Sequence, residues 1–518
     1  MNLPKMTTTE NDIKKTLIVL LTISFVVRLF AAAFVEFGND EVYYWTYALY
    51  PDWSHFDHPS MVGWMIQFFS LNLLLDSELF IRLSSVVFMT IDTYIIYLIG
   101  KEAKDQRTGL YAALLYTGSI YAFVITGIFI LPDTPLSLFW LLATLYAIRW
   151  LRSDNPSKKH ILLTGLLTGL AFLSKYTGVF IWVGIGLYIL VFDRKKLKNP
   201  WLYVAALITI ICTLPVVYWN WQNNFVSFGF HSDRVSLFSK PNLAYFGTEI
   251  GGEVLYNNPV NFILAIIAVM FYFRGKLDGD STAQRLTVCT ALPLIVLFWF
   301  FALTRPTLPH WNSPAYNMLI ILSAIMLSKN TKKTSKPIIA SVTLLAIVLF
   351  FGIAEIKTGF IPLDKHTESE KMGRDDFTLD MYGWRKFSKE FGKVREKATN
   401  EGVMRADDGI ISHKWFPLAN LDYYVARPFD MKAFGLGPIE DIHKYKWINQ
   451  ERGGLQLDSD YWYITDSHYY NDPKSIYEGY FEEISLIDTI TIARCGKPAK
   501  NFFVYTCKGL KKTTDESY

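Results

Sequence analysis

Long apolar runs alternate with short polar connections from about residue 16 to residue 354, and then the alternation stops. The runs fall near 16–36, 81–100, 109–129, 136–151, 161–174, 177–192, 201–219, 259–273, 286–303, 312–328 and 337–354. Most hold about 16 to 20 residues, close to what a helix needs to cross a bilayer, so about eleven spans are expected. The 161–174 run is the shortest. The first run follows Lys14 and Lys15, which mimics the charged start of a signal peptide. It continues from about Leu17 to Val35 with no small-residue cleavage site, and is read as a retained helix.

After about residue 355 the pattern changes. The tail is charged and has no spanning run. It holds strand-like pieces such as Tyr461-Trp462-Tyr463-Ile464 and Phe502-Phe503-Val504-Tyr505, preceded by a helical pattern near Gly383 to Lys397. These pieces predict a small α+β domain. The expected organisation is therefore an all-α polytopic membrane domain over 1–354 and an α+β domain over 355–518.

Basic residues set the expected orientation. One set of connections carries Lys101, Lys104 and Arg107; Arg152, Lys158 and Lys159; Arg194, Lys195, Lys196 and Lys198; Arg274, Lys276 and Arg285; and Lys329, Lys332, Lys333 and Lys336. The alternate set holds little beyond Lys175, Arg234, Lys240 and Arg305. The positive-inside rule makes the first set cytoplasmic. The N-terminus is then inside, and the 38–80 connection and the tail are outside. Composition agrees with a membrane protein: 51% of the chain is hydrophobic, 16% aromatic and only 19% charged. The net charge of +4 comes without a basic patch interleaved with aromatics, which argues against nucleic acid as a partner. The four cysteines form no Cys-x-x-Cys pair, and Cys212 and Cys289 lie in apolar runs as inert core residues.

The outward connections collect the unusual polar residues. Residues 38–64 begin with Asp40-Glu41, continue through Tyr43, Tyr44, Trp45, Tyr47 and Tyr50, and reach His55-Phe56-Asp57-His58-Pro59. Later connections hold Pro132-Asp133-Thr134-Pro135; Ser174-Lys175-Tyr176-Thr177; His231, Asp233 and Arg234; and Thr304-Arg305-Pro306 through His310-Trp311. Carboxylates, cations and imidazoles on one face suit transfer of a sugar from a lipid phosphate. A carboxylate takes the acceptor proton. Cations or a metal stabilise the leaving phosphate. Each residue also has a plainer reading. Asp40-Glu41 suits a solvated helix end, Asp133 a helix N-cap, Lys175 a snorkelling lysine. His55, Asp57 and His58 suit backbone bonding in a turn, and His231 and His310 suit packing. The aromatic run is most simply an interfacial belt.

Asp40-Glu41-Val-Tyr-Tyr-Trp45 followed by Phe56-Asp57-His58-Pro59-Ser60 resembles the first-loop signature of bacterial membrane glycosyltransferases. These are related to protein O-mannosyltransferases and to the lipid A aminoarabinose transferase. Pro132-Asp133-Thr134-Pro135-Leu136, Gly169 through Gly178 and Leu308-Pro309-His310-Trp311 match in the same order, so the resemblance covers roughly residues 15 to 330. It implies the C-type glycosyltransferase fold, a polyprenyl-phosphate sugar donor, and a lipid, glycan or protein acceptor. It implies Asp40 as the catalytic residue, with Glu41 beside it, and Asp133 joins them as a candidate. Where the aminoarabinose transferase has Lys-Pro, this chain has His58-Pro59, a titratable group in place of a permanent cation. Lys175 and Arg305 are the compensating donor-phosphate ligands, with His58 and Tyr176 beside them. The tail is similar to the periplasmic domains of these proteins.

The expectation is thus a multi-pass glycosyltransferase of a bacterial inner membrane, its C-terminal domain periplasmic. The competing readings are a transporter or flippase for a lipid-linked substrate, and a non-catalytic envelope assembly protein. Three narrower expectations follow. His55, Asp57, His58, His231 and His310 supply ligands to a divalent metal ion, zinc or magnesium. Cys495 and Cys507, at the ends of a hairpin in an oxidising compartment, form a disulfide. Arg28 and Asp92, about 13 and 16 Å below the outer ends of the first two spans, face each other, directly or through a water or Tyr94-type hydroxyl.

Overall fold

The computed structural model describes residues 9–234, 240–329 and 336–513, with the side chains of Asp233 and Arg234, and all of Lys332 and Lys333, outside the described residues. The chain is mostly helical and divides into two compact units: Met1–Ala32 with Pro51–Leu349, and Ala33–Tyr50 with Phe350–Tyr518.

Among the described residues, six helices are long and apolar enough to cross a membrane: Glu10–Phe34, Leu83–Ala103, Asp133–Arg152, Pro200–Gln222, Ser281–Ala302 and Lys336–Thr358. Leu243–Tyr256 and Pro259–Phe273 meet the same test as a pair, bent by 103° at the break. Tyr176–Phe192 and Ser313–Ser328 are shorter apolar segments. The starts are written in the sequence. Asp105, Asn199, Asn242, Asn258 and Asp280 each cap a helix with a side-chain oxygen, and Pro200 and Pro259 occupy first-turn positions where no amide bond is lost. The run near 109–129 is not one helix: Gln106–Gly118 stops, and a π-helical turn spans Tyr121–Ile125. Close packing is made by small residues, as where Gly165 lies directly on the Ala205 backbone of the helix Pro200–Gln222.

Arg28 and Asp92 are both fully buried in this unit but form no ion pair within 4.0 Å. The Arg28 guanidinium lies 4.2 Å from the Phe123 ring centroid instead. Asp92 accepts from the Tyr116 hydroxyl at 3.4 Å, and Tyr116 also meets Ser137 at 3.0 Å. The hydroxyl comes from a third helix; Tyr94 is 45% exposed and stacks on Tyr97. The expected contact is direct or through a water or tyrosine hydroxyl; a tyrosine hydroxyl does bond Asp92, but it is Tyr116 rather than Tyr94, and Arg28 faces a ring with no hydrogen-bond partner on its guanidinium among the described residues.

The second unit carries a five-stranded mixed sheet in the order β2-β1-β3-β5-β4, with β1 Gly409–Ser412, β2 Ala433–Gly435, β3 Tyr461–Asp466, β4 Phe481–Arg494 and β5 Lys497–Leu510. β1 pairs in parallel with β2 and β3, and all three are buried along their length, as parallel strands covered on both faces are. β5 runs antiparallel to β3 and β4. The helix expected near 383–397 spans Trp384–Asn400.

The expected Cys495–Cys507 disulfide is absent, and both thiols are free. The hairpin is longer than its apolar core suggests. Arg494 pairs with Lys497, so Cys495 and Gly496 are the two turn residues, with φ of 47° and 80°. That left-handed pair fits a tight hairpin whose twist matches its strands. Cys507 lies far down β5 opposite Ile484 and Tyr461, roughly 30 Å along the strand at about 3.4 Å per residue. It packs in an apolar cluster with Tyr463, Tyr505 and Phe481.

Candidate active site

In the first unit, Asp133 opens the helix that ends at Arg152, and Lys175 follows the helix that ends at Ser174. Neither side chain caps or snorkels. Both are buried, and Lys175 Nζ donates to Asp133 Oδ2 at 2.8 Å and Oδ1 at 3.0 Å. The Tyr121 hydroxyl donates to Asp133 Oδ1 at 2.9 Å from the π-helical turn. A buried pair of this kind keeps its charges only because each partner's hydrogen bonds are filled.

A cavity of about 710 Å³ opens beside this pair. Its lining is mixed: polar at Lys175, Tyr176, His58, His231, Arg305 and Thr307, and apolar at Phe180, Leu297, Phe298, Phe301, Leu308 and Trp311. The Tyr176 hydroxyl lies 3.1 Å from Ser227 Oγ, and its ring meets His231 edge-on at 5.1 Å. Burial pushes His58 down to about 3, with Lys175 and His231 adding to the fall against the pull of Asp57 and Asp133. Burial likewise pushes His310 down to about 4, with Lys175 lowering it further and Asp133 opposing. Both imidazoles are therefore neutral near pH 7, and the permanent cations lining this cavity are Lys175 and Arg305.

His55 is buried in a tight turn closed by its amide bonding to the His58 carbonyl at 3.2 Å, and His231 Nε2 lies 2.9 Å from the Asp57 carbonyl. The His58 and His231 rings are 6.4 Å apart, and His310 packs on Tyr256 instead. Among the described residues, His55, Asp57, His58, His231 and His310 do not bring three ligand atoms within 4.8 Å of one another; Asp364, His366 and Asp375 in the second unit do. As placed, the five expected ligands do not fit one shared ion. Among the described residues, the Asp364 group has the donor atoms close enough together to share an ion.

Sequence reading missed a second buried group. Glu249 and Glu253 are both fully buried on the bent helix Leu243–Tyr256. Glu249 accepts from Thr307 Oγ1 at 2.6 Å; Glu253 accepts from Tyr316 at 2.7 Å, Trp299 at 2.9 Å and Asn312. The signal was available: two acids four residues apart in an otherwise uncharged apolar segment are costly unless bonded.

In the second unit, Asp40 and Glu41 sit in the first turn of the helix Asn39–Leu49, so the stretch read as a loop is helical. The two acids differ. Glu41 is buried, and its Oε2 accepts from the Gly38 amide at 2.9 Å, closing a capping box; Asp40 is exposed. The aromatic run does not form a belt. Tyr43, Tyr44, Trp45 and Tyr47 are each at most 6% exposed and pack inside this unit, Tyr43 on Trp415 at 4.9 Å and Trp45 on Tyr423 at 5.2 Å.

Residues 57–219 match the family model described as dolichyl-phosphate-mannose-protein mannosyltransferase. Over those residues the chain is similar in sequence to that family, and over almost its whole length it has a fold seen in a solved membrane protein. That fold is shown by the apo structure of ArnT from Cupriavidus metallidurans, which matches with TM-score 0.60 at 11% identity over 95% of this chain and 98% of that one. The same enzyme bound to undecaprenyl phosphate gives TM-score 0.61 over the same shares, again at 11% identity. The lipid A galacturonosyltransferase RgtD of Rhizobium johnstonii is 24% identical over 297 residues, 56% of this chain. The match spans 61% of that relative's own length.

Proposed function

We propose that the protein is an integral-membrane glycosyltransferase that moves a sugar from a polyprenyl-phosphate donor to a hydroxyl of a lipid, glycan or protein acceptor. The observation that carries this reading is a cavity lined by both cations and apolar side chains. A polyprenyl phosphate is an anion on a long apolar chain, and the cavity lining offers Lys175 and Arg305 to the anion and aromatic and aliphatic side chains to the apolar chain. A relative of the same fold holds undecaprenyl phosphate, which supports that donor class here. The match to a lipid A galacturonosyltransferase favours a lipid acceptor.

In the proposed reaction the acceptor oxygen attacks the anomeric carbon and its proton passes to Asp40. The bond from that carbon to the phosphate oxygen breaks, with inversion, and undecaprenyl phosphate leaves with the electron pair. Lys175 and Arg305 stabilise the charge developing on the phosphate, and Tyr176 and neutral His58 supply hydrogen bonds. Asp133 holds the Lys175 ammonium in place through two hydrogen bonds. No step runs through a metal ion. Residues 1–354 would form the transferase domain with about eleven spans and a cytoplasmic N-terminus. Residues 355–518 would lie in the periplasm of a bacterial inner membrane.

The bent pair Leu243–Tyr256 and Pro259–Phe273 favours a second reading, since broken helices are the mark of transporters for lipid-linked and other substrates. One experiment separates the two. The purified protein is placed in proteoliposomes made from its host's envelope lipids, and release of free undecaprenyl phosphate is followed by mass spectrometry. The transferase reading expects release that falls about 100-fold or more in Asp40→Asn, the scale of a general base, with undecaprenyl phosphate binding retained. Movement of the lipid between leaflets with no release selects the transporter. Full release by Asp40→Asn removes Asp40 from the mechanism.

A further inference from the structure

The Asn39–Leu49 helix is enclosed to a degree that an outer loop of a membrane domain does not require. Every residue from Glu41 to Ala48 is buried, while Asp40 in the same first turn is exposed. A helix that is buried on all sides is a core element, and this one is a core element of the C-terminal unit, from which it is separated by about 300 residues of sequence.

The attachments are specific and polar as well as apolar. At the C-terminal end of the helix, Lys444 Nζ donates to the carbonyls of Thr46 at 3.0 Å and Tyr50 at 2.6 Å. The Thr46 carbonyl also accepts the last backbone bond of the helix, from the Tyr50 amide at 3.0 Å, and a cation at this end complements the helix dipole. Lys444 is 4% exposed, so the contact is shielded from solvent. Tyr50 is held again through its hydroxyl, which accepts from Arg452 Nε at 3.0 Å, and Arg452 is anchored by Asp422 at 2.8 Å. Before the helix, the Phe37 amide donates to the Tyr424 hydroxyl at 2.8 Å, and the Phe37 ring meets Tyr423 edge-on at 5.0 Å. Glu36 works in the other direction. Its carboxylate accepts from the amides of Trp384 at 2.9 Å and Arg385 at 3.4 Å, at the first turn of the helix Trp384–Asn400.

We propose that the C-terminal unit is a clamp on the segment that carries Asp40, with Lys444 and Tyr424 as positioning residues that fix the carboxylate's place from the two ends of the segment. The proposal deepens the transferase reading and rests on Asp40 as its base. It gives the C-terminal unit a direct part in the chemistry, which an appended binding module would not have.

The test uses Lys444→Met, Lys444→Arg and Tyr424→Phe in the full chain, with release of undecaprenyl phosphate in proteoliposomes as the activity. Lys444→Met should lower kcat by about 10- to 100-fold, the scale of a small displacement of a catalytic group, with the KM for donor lipid unchanged. Lys444→Arg, which keeps a donor cation for the two carbonyls, should recover most of the loss. Amide exchange in residues 39–49 should speed up in Lys444→Met and return toward wild type in Lys444→Arg. If Lys444→Met fails to fold, Tyr424→Phe carries the test, since it removes one hydroxyl and should lower kcat several-fold without changing donor KM. Folded variants with wild-type kcat, alongside an inactive Asp40→Asn, would overturn the clamp and leave the base assignment standing. A fully active Asp40→Asn would overturn the base assignment and the clamp's catalytic purpose with it.

Discussion

Lys175 and Asp133 lie 42 positions apart in sequence and meet at 2.8 Å in a buried place. Removing one partner leaves the other charge buried and unpaired, at a cost of about 3–5 kcal/mol. Lys175→Met should therefore lower the thermal midpoint strongly, and Lys175→Met with Asp133→Leu should recover much of it while donor binding stays lost. Thermal unfolding together with undecaprenyl phosphate binding separates the two effects. The two depressed histidines make a second expectation. His58 and His310 titrate near 3 and 4 in the folded chain, below their ordinary 6.5. The unfolded chain then binds protons first as pH falls, so their contribution to stability is present above about 6.5 and is lost progressively toward 4 and below. The double variant His58→Gln, His310→Gln should flatten the stability profile between pH 6.5 and 4 relative to wild type, as read by unfolding at each pH. Donor binding should stay level from pH 7 to 8, because neither imidazole carries charge there. Asp133, Lys175, Tyr176 and Arg305 were legible as site candidates because charges at the ends of apolar runs are expensive and attract explanation. Their pairing was not legible, because no local spacing joins residues on different helices. The unequal fates of Asp40 and Glu41 were half written: glycine at 38 with glutamate three positions on is a capping pattern.

Helix starts were well marked by Asp, Asn and Pro, and the tail's helix and strands appeared where their patterns placed them. Lengths were less visible. The β4–β5 hairpin extends well beyond the apolar stretch 501–505, because β4 has one exposed face and alternates where a buried strand would be continuous. That extension moved Cys495 into the turn and Cys507 deep into the sheet, and so removed the disulfide. Burial also raises the Cys507 thiol well above its ordinary value, which keeps it an unreactive thiol. An exposed Cys495 should take up a membrane-impermeant maleimide in the native protein, and Cys507 should react only after denaturation. Peptide mapping reads both, and equal labelling of the two in native protein would contradict the hairpin register. The 103° break between Leu243–Tyr256 and Pro259–Phe273 lay beyond pattern reading as well. Asn258, at φ 68°, and Pro259 mark it locally, but the buried bonds of Glu249 and Glu253 that hold its first arm come from residues 299–316.

At the scale of the whole molecule, the division into membrane runs and a mixed tail was visible from hydropathy alone. The membership of Ala33–Tyr50 was not, because its partners lie beyond residue 350. That membership has a consequence for biosynthesis. The segment carrying Asp40 emerges from the ribosome early, and the residues that hold it, Tyr424, Lys444 and Arg452, are made last. At about 5–20 residues per second the interval over roughly 400 residues is about 20 to 80 s. Through that interval the helix has its aromatic face uncovered and Glu36 has no amides to accept from. A nascent chain halted before residue 424 would hold every cavity-lining residue named above and still lack its clamp. Under the proposed mechanism, synthesis past Arg452 is the step that completes the setting of Asp40, and a product terminated before Tyr424 should lack transferase activity.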